Sequence, residues 1–299
     1  MRIAAIQSFV KVSVSLFFML LLHGCVNLEA VRDFSKQSAA LTSASDALDY
    51  RLAWPERRKE YDDIAKSLPP KGGEPASGPT LLPTKLDETQ EKAIKSVHIA
   101  LATYMEKLGE LADDKIIDVS SQVDGLVKNL DDLPDADDDR KKTNAAYGAI
   151  LKLLKLPLDA YRQAKVKDLI IENDESVLQL TSLLSAQTKN ISMSIESERG
   201  NVLLWLKETD RKYPQKASFM YEVQKRSAKL EIEEKYKGKA EAVNLYSAAL
   251  TKIGKTHHDM AEKLKTYDKD GFKLLESNLK SAKEQIEQAR KQYKAAFDN

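Results

Sequence analysis

Two long apolar seams near the C-terminus constrain this chain more than any other feature. From residue 215 to Asp268 there is no proline, and Tyr246, Leu250, Ile253, His257, Met260, Leu264 and Tyr267 recur at alternating spacings of four and three. Asp268-Lys269-Asp270-Gly271 then makes a turn, and Phe272, Leu275, Leu279, Ala282, Ile286, Ala289, Tyr293 and Ala296 repeat the pattern. That spacing gathers the apolar side chains into one stripe of an α-helix. Two such helices joined by four residues are expected to be antiparallel neighbours.

The rest of the chain reads the same way. Val31, Phe34, Leu41, Leu48 and Leu52 keep helical spacing after Asn27, an N-cap candidate, with Ser38 and Ser45 filling the seam. Trp54-Pro55 is expected to kink or restart that helix, because a residue before proline avoids helical geometry. Ile94, Val97, Leu101, Tyr104, Leu108 and Leu111 form another seam, which slips by one position to Ile116, Val119, Val123, Leu126, Leu130 and Leu133. A third runs Val166, Ile170, Asn173, Val177, Leu180, Leu184, Gln187, Ile191 and Ser194, with Asn173 and Gln187 as polar residues that fix register.

Residues 69–86 hold five of the nine prolines and three of the eleven glycines, so they read as an exposed loop. No stretch reads as a strand. The expected fold is all-α, an elongated antiparallel bundle with coiled-coil-like long helices, in which residues 25–299 form a single domain.

The N-terminus carries a different signal. Arg2 and Lys11 precede an apolar run from Val12 to Leu22. Eleven residues rising about 1.5 Å each fall well short of a hydrocarbon core of about 30 Å, so the run reads as a signal-peptide core. It ends in Leu22-His23-Gly24-Cys25.

This tetrapeptide resembles the lipobox of bacterial lipoprotein precursors, although His23 stands where a small or aliphatic residue is usual. The resemblance covers residues 1–25 only. It implies a signal peptide over 1–24, recognition by its peptidase through Leu22, His23 and Gly24, and a covalent lipid of the palmitate type on Cys25. Val26, rather than Asp, after the cysteine implies sorting to the outer membrane with the folded body facing the periplasm. One acyl chain binds membranes only marginally, so stable attachment needs several.

Composition excludes more than it proposes. A single cysteine leaves no internal disulfide framework. Forty-seven Lys plus Arg against 46 Asp plus Glu leave no overall field that would recruit nucleic acid. Charge is uneven along the chain: residues 113–139 contain ten Asp against two Lys, whereas 211–299 contain 20 basic and 13 acidic residues. Both read first as solvated helix faces.

Several short motifs have plainer accounts. His257 falls in the seam and reads as a core histidine. His258 and Glu262 share a helix face with Asp259 nearby, short of the three or four convergent ligands a metal site needs. His98 reads as a surface or flank histidine without a partner. Asp268-Lys269-Asp270-Gly271 fails the calcium-loop template because Ser277 takes the place of its final glutamate. Gly254-Lys255-Thr256 lacks the first glycine of a phosphate loop, having Ala249 there.

The segment 150–158 is amphipathic, and Leu151, Leu154 and Leu158 could meet a partner or membrane, although burial in the bundle is the commoner fate. No catalytic set, metal site or cofactor beyond the lipid is expected. The leading expectation is a non-enzymatic, membrane-anchored scaffold or interaction module with a protein partner. The alternatives are a pore-forming or membrane-remodelling protein and a periplasmic immunity or inhibitor protein.

Overall fold

The structure is a computed structural model, and it describes residues 28–44, 46–59, 88–113, 144–151, 162–212, 219–266 and 269–297. The signal peptide, Cys25, the 69–86 loop, the seam from 116 to 133, the acidic run 131–139, Leu154 and Leu158 lie outside the described residues.

Seven helices follow in order: α1 (Leu28–Thr42), α2 (Asp46–Leu52), α3 (Glu88–Ala112), α4 (Arg162–Glu172), α5 (Asp174–Lys212), α6 (Phe219–Thr266) and α7 (Lys269–Phe297). Residues 54–59 and 144–151 are also helical, and no strand occurs among the described residues. The fold is all-α. Helix α2 ends at Leu52 and helix resumes at Trp54, with Pro55 in the first turn, where its missing N–H costs no helical bond.

The expected seams are the buried faces. Ile94, Val97, Leu101, Tyr104, Leu108 and Leu111 on α3, Tyr246 to Leu264 on α6, and Leu275 to Tyr293 on α7 all enter one contiguous core. Each fully buried Leu or Ile there contributes on the order of 1.5–3 kcal/mol. Helix α6 packs against α5 on one side and α7 on the other, while α1 lies between α3 and α7.

Side-chain contacts give the directions. Asp174 meets His258, Ser185 meets Ser247 and Glu198 meets Tyr236, so α5 and α6 are antiparallel. Tyr246 stacks on Tyr293 while Lys239 reaches the Ala296 carbonyl, so α6 and α7 are antiparallel as well. Helix α1 runs parallel to the α7 it touches, because Asp33 pairs with Lys283 while Ala47, at the start of α2, donates to the Tyr293 hydroxyl. It runs antiparallel to α3, because Arg32 pairs with Asp113 and the Thr42 carbonyl faces His98.

Four buried hydroxyls are satisfied within their own helices. Ser38, Thr42, Thr181 and Thr188 each donate to the carbonyl four residues earlier, at 2.8, 2.8, 2.8 and 2.6 Å. Gly254 permits the close α5–α6 approach: a β-carbon there would sit 3.2 Å from Thr181 Cβ and 3.6 Å from Leu178 Cδ2.

Three expectations change. His98 is 7 % exposed rather than a surface residue, with Nδ1 3.1 Å from the Tyr246 hydroxyl and 3.3 Å from the Thr42 carbonyl. The third seam breaks at Asn173, where α4 gives way to α5, and the Asn173 amide donates to the Leu169 carbonyl at 2.9 Å. Beyond Leu184 the buried face moves from Gln187 and Ser194 to Thr188, Ile195 and Glu198. A helix of 3.6 residues per turn drifts against a 3.5 repeat, and over 39 residues that drift is enough to move the face by one position.

Candidate functional site

The chemistry-bearing side chains collect where α4, α5, α3 and α6 meet. Asn173 interrupts the helix, so Asp174 opens α5 with its carboxylate at a helix N-terminus, where the backbone favours negative charge. His257 and His258, on adjacent positions of α6, approach that carboxylate from different sides.

His258 Nδ1 lies 2.9 Å from Asp174 Oδ2 and donates to it. His257 Nδ1 lies 3.9 Å from Asp174 Oδ1, which is too long for a hydrogen bond. Below, His257 Nε2 is 2.7 Å from the Tyr104 hydroxyl, and that hydroxyl is 3.4 Å from the Leu169 carbonyl. A lone pair on Nδ1 would face a carboxylate, so the consistent tautomer has Tyr104 donating to Nε2 and the proton on Nδ1.

Burial decides the electrostatics here. His257 is fully enclosed, and burial holds its basicity below the ordinary imidazole value despite Asp174. Burial pushes the Asp174 carboxyl up, but the two facing imidazoles outweigh it and hold the group below the usual carboxylate range. Burial raises the Tyr104 phenol far above its ordinary value, so the hydroxyl stays protonated.

Glu262, one turn beyond His258, completes the outer side of the cluster: one ligand atom each from Asp174, His258 and Glu262 lie within 4.8 Å of one another. Lys265 Nζ sits beside them, 2.7 Å from Glu262 Oε1 and 4.0 Å from Asp174 Oδ2.

A second cluster surrounds Glu198. Arg57 holds it with two hydrogen bonds of 3.0 and 2.7 Å, and the Tyr50 and Tyr236 hydroxyls donate to the same carboxylate at 3.0 and 2.8 Å. Burial works against the Arg57 charge, and the Glu198 carboxylate outweighs it. The Arg57 guanidinium lies 3.7 Å over the Tyr50 ring, and Lys239 caps Tyr50 and Phe297 at 4.8 and 4.5 Å. Every polar group in this knot has a partner, which makes it a structural joint.

Above the joint, α5 and α6 continue as an arm. No residue from 219 to 235 is buried, whereas burial begins at Tyr236. Helix α6 has 48 residues against 29 in α7, so it overhangs its partner by 19 residues. Tyr221, Lys225, Ala228 and Ile232 line the half-buried inner side of α6, while Phe219, Val223 and Leu230 form an outer stripe that is 81, 45 and 50 % exposed.

Charge on the arm is balanced, with four basic and four acidic residues between 219 and 235. Lys225 binds Glu222 at 3.0 Å and Lys229 binds Glu233 at 3.8 Å.

Leu151 is buried, and Ile150 beside it is fully enclosed. No helix among the described residues is long and apolar enough to cross a membrane. The sequence flagged His257, His258 and Glu262, but Asp174 lies 84 positions from His258 and carries no local signal of the meeting. No family model matches the chain, and no match is found among curated proteins or solved structures.

Proposed function

We propose that this protein is a lipid-anchored spacer of the bacterial cell envelope, which holds one end of a helical bundle at the membrane and presents the α5–α6 arm to a protein partner at the other. The arm is the observation that carries the reading. Its outer stripe of Phe219, Val223 and Leu230 has spacings of four and seven, the pattern by which one helix receives the apolar face of another. Because the four basic and four acidic residues between 219 and 235 balance, the arm has little attraction for anionic lipid and suits an amphipathic partner helix better than a bilayer.

The polarity of the bundle supports the spacing role. Cys25 precedes Leu28, the first residue of α1, by three positions, about 10 Å of extended chain. Through the Asp33–Lys283 and Tyr246–Tyr293 contacts, Leu28 falls near the level of residue 261 on α6, some forty residues or roughly 60 Å from Phe219. An outer-membrane lipoprotein facing the periplasm would thus carry its docking surface well away from the lipid.

The test separates anchor from arm. Replacing Cys25 by serine is expected to move the protein from the membrane to the soluble fraction, while Phe219→Glu with Val223→Glu keeps it membrane-bound and folded but abolishes a specific cross-link through the arm. Membrane retention of the serine variant, or cross-linking indifferent to the two glutamates, would remove the corresponding half of the proposal.

A further inference from the structure

We infer that Asp174, His258 and Glu262 form a binding site for one divalent transition-metal cation of the zinc class, tying the start of α5 to α6. The three ligand atoms already converge within 4.8 Å. Tetrahedral zinc with bonds of about 2.0–2.2 Å needs its nitrogen and oxygen ligands roughly 3.3–3.5 Å apart. Asp174 and His258 stand at 2.9 Å and so need to open only slightly, while Glu262, half exposed on a flexible stem, can close the remaining distance.

The geometry has the order of an open site. His258 and Glu262 come from one face of α6, Asp174 comes from another helix, and the fourth position faces solvent for water. An imidazole nitrogen with two carboxylate oxygens suits zinc and its neighbours better than magnesium or calcium, which favour oxygen-only cages.

A second observation points to the same place. His257 Nδ1 and Asp174 Oδ1 are both buried, face each other at 3.9 Å and have no hydrogen-bond partner. Buried polar atoms are rarely left so. A cation on Asp174 Oδ2 would take over the role of the His258 proton and leave Oδ1 to accept from His257 Nδ1, whose other nitrogen Tyr104 already fixes. That is the supporting shell a metal-bound carboxylate ordinarily has. His257 and Tyr104 are positioning residues in this arrangement, and Asp174, His258 and Glu262 are the ligands.

Lys265 explains how the metal-free protein tolerates the site. Its ammonium donates to Glu262 and stands near Asp174, where a cation would sit. Zinc therefore competes with an internal cation. Binding displaces both the lysine and the proton on His258 Nδ1.

Zinc chloride titrated into the full-length protein, in competition with a chromophoric chelator, tests this directly. One zinc per chain is expected, with affinity weakened about tenfold or more by His258→Ala and by Glu262→Gln. Lys265→Met should tighten it. His258 and Glu262 are 44 and 50 % exposed in their side chains, so neither substitution disturbs the core. Circular dichroism of each variant confirms that the bundle is intact. Failure of the protein to compete for zinc, or zinc affinity unchanged in His258→Ala or lowered in Lys265→Met, overturns the inference.

Discussion

Replacing Glu198 by alanine is expected to lower the unfolding free energy by about 3 kcal/mol, the lower end of the cost of removing one member of a buried ion pair. Glu198 is 6 % exposed in its side chain and Arg57 is 22 % exposed, so solvent relieves the orphaned guanidinium only in part. The Tyr50 and Tyr236 hydroxyls would also lose their common acceptor. Glu198→Gln keeps one acceptor oxygen and should cost distinctly less. Urea denaturation of the three proteins measures both, and equal midpoints would show that the joint contributes nothing. Because this knot stands at the root of the arm, amide exchange in residues 219–235 should rise in the alanine variant more than exchange in α3.

Acidification should remove a comparable amount of stability through His98. Burial, the largest influence, holds its imidazole down from an ordinary 6.5 to about 4; the Thr42 carbonyl opposes this and the Lys95 charge adds to it. Between these values the unfolded chain takes up a proton that the folded protein refuses, so stability falls as pH drops. A window of about 2.5 pH units at roughly 1.4 kcal/mol each corresponds to about 3.5 kcal/mol, fully lost near pH 4. Carboxylates held low by cation partners, such as Asp33, add their own loss at lower pH. The His98→Leu variant isolates the histidine: its stability, measured by urea melts from pH 7 to 4, should fall less steeply than that of the parent by this amount. Parallel curves for the two proteins would show that His98 titrates normally in the fold.

Periodicity disclosed most of the helical core and little of what the core holds. The seams of α3, α6 and α7 were legible because their apolar residues recur at three and four without interruption, and a stripe of that kind has to be buried. His257 was legible as a core residue for the same reason. His98 was not, because it sits beside Val97 in an apolar helix and its partners, Thr42 and Tyr246, are 56 and 148 positions away.

Glu198 left a trace that periodicity alone passes over. It continues Ile191 and Ile195 at a seam position and is followed by Val202, and an acid in that place signals a buried partner. The drift of the α5 face past Leu184 hid it, since a strict seven-residue reading places Ser194 there instead. Asp174 gave no such trace, because only the break at Asn173 and the crossing of α6 bring it to His258. The arm was equally hidden: the sequence shows one proline-free segment after Pro214, and only the shorter α7 reveals which part of it extends beyond that helix.

In the proposed spacer the lipid and the arm lie at opposite ends of the bundle. Fluorophores attached through Glu29→Cys or Phe219→Cys, in lipidated protein bound to vesicles carrying a headgroup quencher, test it most directly. Strong quenching at position 29 with none at 219 is the predicted result. Equal quenching at the two positions would place the arm on the bilayer and contradict the account.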